Sequence, residues 1–108
     1  MKYTIKKINL RNNQVIYVPI FEDESLRMLG EFLMIEVMCF RKDIIKIIDK
    51  AKNISDKIEF SGNSCLLVIE NGMANIECTI DDAEVGNPVS IKVEEFIQVV
   101  ESWLRDTQ

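Results

Sequence analysis

With 108 residues, 47% of them apolar and 29% charged, the chain has the length and balance of one globular domain, residues 1–108, large enough to bury a core without metal or disulfide staples. The net charge of −5 is unevenly placed, since residues 1–53 carry ten Lys/Arg against seven Asp/Glu and residues 54–108 carry three against eleven. So acidic a C-terminal half repels phosphate and argues against direct nucleic-acid binding. The absence of histidine removes the commonest general base, triad partner and metal ligand.

Tyr3 to Asn9 alternates loosely through Tyr3, Ile5 and Ile8 and reads as a strand. A polar break, Arg11 to Gln14, separates it from a second strand, Val15-Ile16-Tyr17-Val18, which Pro19 is expected to close. Glu22-Asp23-Glu24-Ser25 opens a short helical turn through Leu26 and Leu29 that stops at Gly30. Glu31 to Phe40, with Phe32, Ile35, Val37, Met38 and Phe40, fits a buried strand or a helix; Gly30 before it and a clear helix start after it favour the strand.

Arg41 to Asn53 places Ile44, Ile45, Ile47, Ile48 and Ala51 on one side and Arg41, Lys42, Lys46, Lys50 and Lys52 largely on the other, the pattern of an amphipathic helix with a basic outer face. Without interleaved aromatics or glycine-rich loops, that row reads as a solvated face rather than a phosphate site. Next comes a hairpin. Cys65 to Ile69 and Ala74 to Ile80 flank Asn71-Gly72, the pair best suited to a two-residue turn with positive φ at both positions. If Glu70 faces Met73, then Ile69 faces Ala74, Leu67 faces Ile76 and Cys65 faces Cys78, and all six of these share one side with Ile80. The facing thiols make a redox pair conceivable, but their apolar side and the lack of a neighbouring cation favour two buried core residues.

Asp81 to Pro88 reads as an acidic loop, with Gly86 and Asn87-Pro88 as breakers. Val89 and Ile91 add a short strand before a final helix, Val93 to Arg105, whose buried stripe is Val93, Phe96, Ile97, Val100, Trp103 and Leu104. Glu94 and Glu95 in its first turn and Arg105 in its last complement the helix dipole. The expected fold class is α+β: a mainly antiparallel sheet of four to six strands, its Cys65/Leu67/Ile69/Ala74/Ile76/Cys78 face packed against two amphipathic helices, 41–52 and 93–105.

Motifs for chemistry are scarce. The sequence has no phosphate-cradling G-x-x-x-x-G-K-[ST] or G-x-G-x-x-G and no G-x-S-x-G elbow. Asp81-Asp82-x-Glu84 offers carboxylates to a divalent cation but lacks the spacing of a calcium loop. Cys39, Cys65 and Cys78, odd in number and without C-x-x-C, indicate neither a disulfide framework nor a zinc site. No catalytic residue, cofactor or metal is therefore expected. A reducing, cytoplasmic setting fits the cysteines, and neither a cleavable leader nor a membrane span is read from the sequence.

One resemblance stands beside this reading. The order of an apolar segment, the helix carrying Asp43-Ile44-Ile45-Lys46-Ile47-Ile48, the run Phe60-x-Gly62-Asn63-x-Cys65-x-Leu67, the Ile69-Glu70-Asn71-Gly72 turn, and the stretch Ser90 to Leu104 with Glu94-Glu95-Phe96 and Trp103 resembles small immunity proteins of bacterial polymorphic toxin systems, above all those of contact-dependent growth inhibition. It covers roughly residues 31–105. The resemblance implies a cytoplasmic antitoxin, not an enzyme, that binds one cognate toxin domain, commonly a nuclease acting on tRNA or DNA, in a one-to-one protein–protein complex. The charge distribution fits a basic partner, because an acidic inhibitor can mimic the polyanion such a nuclease holds. Glu70, Glu77, Asp81, Asp82 and Glu84 are the acidic candidates for the contact; each also reads as an ordinary solvating charge. Two alternatives stay open, a general acidic interaction or regulatory domain and, third, a small enzyme or small-molecule-binding module.

Overall fold

The computed structural model describes residues 3–53, 56–79 and 87–107. The chain opens with an antiparallel ribbon of two strands, β1 (Tyr3–Asn9) and β2 (Val15–Phe21). Pro19 does not close β2, which continues to Phe21. The reason lies in the phase of the ladder: the Leu10 N–H donates to the Gln14 carbonyl, which makes Ile5 and Pro19 a facing pair without mutual hydrogen bonds. The missing N–H of Pro19 thus falls on the outer edge of the ribbon, where no ladder bond is lost.

After a single 3-10 turn, Glu24–Leu26, capped by the Asp23 carboxylate, the chain enters α1 (Arg27–Glu31) and runs on without interruption into a π-helical stretch, Phe32–Val37. This corrects two expectations, that Gly30 ends the turn and that Glu31 to Phe40 is a strand. Gly30 is buried against the Phe21 ring and Pro19, so it marks close packing rather than a helix stop. The buried pairs Met28/Leu29, Phe32/Leu33 and Glu36/Val37 recur every fourth residue. That repeat is wider than an α-helix provides, and the longer i→i+5 turns of the π stretch keep the pairs on one face. Phe40 then links into α2 (Arg41–Asn53), which forms as expected with Ile44 and Ile48 buried and Lys42, Lys46, Lys50 and Lys52 exposed. Ile45, placed on its apolar side by the sequence, is 46% exposed.

The second sheet comprises β3 (Ile58–Ser61), β4 (Cys65–Glu70), β5 (Met73–Cys78) and β6 (Val89–Lys92), antiparallel and side by side in that order. The β4-β5 register is the one expected, from Glu70 facing Met73 to Cys65 facing Cys78, and Asn71 (φ 53°) and Gly72 (φ 76°) take the positive φ their turn demands. Ile80 lies outside the described residues. Strand β3 is an addition: its four residues pair Phe60 with Leu67 and Ile58 with Ile69. The chain closes with α3 (Val93–Asp106), whose first N–H donates to the Gly72 carbonyl and so anchors the helix at the hairpin turn.

The fold is α+β, with six antiparallel strands in two sheets and three α-helices among the described residues. Its core holds Ile44 and Ile48 of α2 and the buried stripe of α3, as expected, and adds the first helical segment to them. Leu67, Ala74, Ile76 and Ile91 are buried together with Met28, Leu29, Phe32 and Leu33 from the first helical segment and Phe96, Val100 and Trp103 from α3. Rings of Phe32 and Phe96 meet at 5.7 Å at its centre. The α2 helix packs on α3 and on the π stretch. Arg41 donates to the Leu104 carbonyl at the end of α3, and Lys52 pairs with Glu101 at 2.8 Å. Among the described residues no helix is long and apolar enough to cross a membrane.

Candidate protein-docking face

A four-stranded sheet has two faces, and here the helices cover one. Pleat alternation sends Cys65, Leu67 and Ile69 of β4 and Ala74 and Ile76 of β5 inward, which turns Leu66, Val68 and Glu70, and on β5 Met73, Asn75 and Glu77, to the other side. Neighbouring strands extend that outer face. The register places Glu59 beside Val68 on one flank and Ser90 beside Asn75 on the other, with Lys92 opposite Met73. No described element lies over it, and Leu66, Val68, Met73 and Asn75 are half-buried there.

The face has an apolar centre and a charged border. Leu66, Val68 and Asn75 line a groove of about 400 Å³ with Glu70, Glu77 and Pro88 among its walls. The Asn75 amide donates to the Val68 carbonyl across the strands, which fixes the polar group in that centre. On one border Lys57 stands 3.0 Å from Glu59 and 3.9 Å from Glu70. The hydrogen bond to Glu59, then the charges of Glu59 and Glu70, raise the Lys57 pKa above its ordinary value, so the ammonium stays charged between two carboxylates. Glu77, exposed and facing Leu66, lies on the opposite side of the hairpin.

Of the five acidic residues singled out in the sequence, the structure thus brings Glu70 and Glu77 onto one face; Asp81, Asp82 and Glu84 lie outside the described residues. Those three belong to the segment that connects β5 to β6, the two strands that form one half of this face. Sequence reasoning missed the apolar centre. Leu66, Val68 and Met73 are the alternate positions of the hairpin, legible from its register, but which side of the sheet stays open depends on where the helices pack.

The Phe60-x-Gly62-Asn63 run has a structural role close by. Glu36, fully buried in the π stretch, accepts from the Asn63 N–H at 3.0 Å and the Ser64 N–H at 3.3 Å through Oε1, while Oε2 has no hydrogen-bond partner. A methyl group on Gly62 would overlap Oε2, so the glycine makes room for the carboxyl group. The Phe60 ring meets Phe40 edge to face at 5.5 Å. This cluster ties the β3-β4 turn to the helical layer. It explains the run as a brace built on the Phe60 ring, the Gly62 gap and the Asn63 backbone N–H, while the Asn63 residue itself is exposed.

A larger concavity, about 620 Å³, opens between the end of β2, α1 and Asn87-Pro88. Its Asp23 is engaged by the Ser25 hydroxyl and N–H, which lower its pKa, and its walls include neither of the two described residues that have a buried side-chain atom without a hydrogen-bond partner, Glu36 (Oε2) and Trp103 (Nε1). Size alone does not make it a site. Among the described residues no three Cys, Asp or Glu side chains converge as metal ligands would. No family model, no curated protein and no solved structure matches the chain.

Proposed function

We propose that this chain is a stoichiometric binding protein that docks a basic protein domain on the open face of its four-stranded sheet, and that the domain is a cognate toxin. The observation that carries the binding reading is the anatomy of that face: an apolar centre at Leu66 and Val68, bordered by Glu59, Glu70 and Glu77, on a sheet whose other side is sealed by helices. Stable interfaces have the same plan, an apolar core within a polar rim. Glu59, Glu70 and Glu77 outnumber Lys57 and Lys92 on that face, and this acidic excess steers a basic partner toward it. The toxin class rests on the likeness of residues 31–105 to immunity proteins of contact-dependent growth inhibition, which makes a nuclease acting on tRNA or DNA the favoured partner. Binding of this kind involves no turnover, metal or nucleotide, and the place of action is the cytoplasm.

The test begins with the product of the neighbouring upstream reading frame. Co-expression should give a one-to-one complex on size-exclusion chromatography and protect cells from that product. Leu66→Arg should abolish the complex, and Glu77→Lys should slow association roughly threefold to tenfold while leaving the melting temperature unchanged. A harmless neighbour that forms no complex would return the chain to the class of general interaction domains, and catalytic turnover by the isolated protein would make it an enzyme.

A further inference from the structure

Among the described residues seven large apolar side chains stand exposed, and five of them, Ile8, Leu10, Val15, Ile16 and Ile20, lie on the β1-β2 ribbon or its connecting loop. The register sorts them by face. Tyr3, Ile5, Tyr17 and Phe21 point to one side and pack on the core, whereas Ile8 faces Ile16, Lys6 faces Val18 and Thr4 faces Ile20 on the other. Every residue from Lys6 to Ile16 is exposed, so the distal half of the ribbon is an arm that its own chain does not cover. A two-stranded ribbon is marginal alone in water, and an apolar stripe on such an arm calls for a partner.

Charge specifies that partner. From Tyr3 to Phe21 the chain carries Lys6, Lys7 and Arg11 and no Asp or Glu. What fits is an apolar surface with an excess of carboxylates on its border, and the described residues present one, the face built on Leu66 and Val68, where Glu59, Glu70 and Glu77 outnumber Lys57 and Lys92. The dimensions agree as well. The distal half of the ribbon, Lys6 to Asn9 on its first strand, is about 13 Å long and fits within a face that runs about 20 Å along its longer strands. No described element of the same chain covers either surface, and the pairing proposed is between two chains.

We propose that the protein forms a homodimer in which the arm of one copy lies across the open sheet face of the second, with Ile8 and Ile16 over Leu66 and Val68 and Lys6, on the same side of the ribbon as Ile8, among Glu59, Glu70 and Glu77. This contact occupies the same face that docks the toxin domain. Self-association and partner binding therefore exclude each other, and the partner is met by a monomer released from the dimer. The inference uses that face but not the identity of the partner, so the two claims fail separately.

Sedimentation velocity over the micromolar range tests it, with Ile16→Asp breaking the arm and Glu70→Lys/Glu77→Lys breaking the face. Both changes lie at solvent-facing positions, and an unchanged thermal melt will show that each variant is folded. The wild-type chain should be a dimer that weakens as salt rises, and each variant should dimerise at least about tenfold less well. An equimolar mixture of the two variants should recover association, because the intact arm of one meets the intact face of the other. A wild-type chain that is monomeric throughout overturns the proposal. So does a dimer that survives Glu70→Lys/Glu77→Lys but not Ile16→Asp, which would mean arm pairing with arm, and so does a mixture that stays monomeric. A monomer that still forms the one-to-one complex removes the dimer alone; a dimer that ignores the neighbouring product removes the toxin reading alone.

Discussion

Glu36 shows how much a single buried group can organise. Its carboxyl group satisfies two backbone donors in the β3-β4 turn and fills the space left by Gly62. Glu36→Ala leaves those donors without a partner and should cost about 2–4 kcal/mol. Gly62→Ala evicts the same carboxyl group and should cost a comparable amount, whereas the double variant should cost clearly less than the sum, since the new methyl enters vacated space. Urea denaturation of the four proteins measures that coupling, and strict additivity would disprove the brace. Cys65 offers a second test. Burial pushes its thiol from 9.0 up to about 11, with the nearby Glu36 adding to the shift and the Ser64 hydroxyl opposing it. A pKa raised by folding contributes stability that is complete below the ordinary thiol range and is lost as pH climbs through 11. Cys65→Ala should therefore flatten the alkaline fall in melting temperature between about pH 9 and 11. At neutral pH, iodoacetamide should label exposed Cys39 well before Cys65.

Among the elements, the first helical segment separates what was legible from what was not. The hairpin could be read to the residue because Asn71-Gly72 is a local instruction and the alternation of β4 and β5 agrees with it. Helix α2 and helix α3 followed from ordinary helical spacing. Residues 27–37 did not, because their buried pairs repeat every fourth residue and Gly30 imitates a stop; only packing against Phe21 and Pro19 shows why a glycine sits there. Strand β3 was overlooked since four residues, half of them exposed, give too short a pattern. The site was legible in the same proportion: register alone puts Glu70 and Glu77 outward, but the uncovered face appears only once the helices are placed. Gly30 supplies the matching prediction. An added Cβ would stand 3.7 Å from Phe21 and Pro19, an ordinary contact, so Gly30→Ala should stabilise the protein by about 0.4–1 kcal/mol in a thermal melt. Phe96→Ala, at the centre of the core, should instead cost about 3–5 kcal/mol, and Ile76→Ala about 2–5 kcal/mol.

Taken as a whole, the molecule is electrically divided, and the association it supports should depend on ionic strength accordingly. The wild-type on-rate for a basic partner should fall steeply between low and physiological salt, and Glu77→Lys/Asp82→Lys should lower both the rate and its salt dependence, as stopped-flow fluorescence would record. An on-rate indifferent to both would move the interface elsewhere, perforce away from the acidic half. Strand order carries a consequence of another kind. Because β3, β4, β5 and β6 neighbour one another in sequence order, the larger sheet can be assembled by successive short closures, beginning at Asn71-Gly72. The seal between Tyr3 and Ser102, separated by 99 positions, belongs to a later event. Folding should accordingly slow when the turn is damaged by Gly72→Val, whereas Tyr3→Phe should chiefly hasten unfolding. Backbone amides of Leu67 and Ile76 should exchange with solvent only when the entire chain opens, while those between Lys7 and Ile16 exchange through local fraying of the arm.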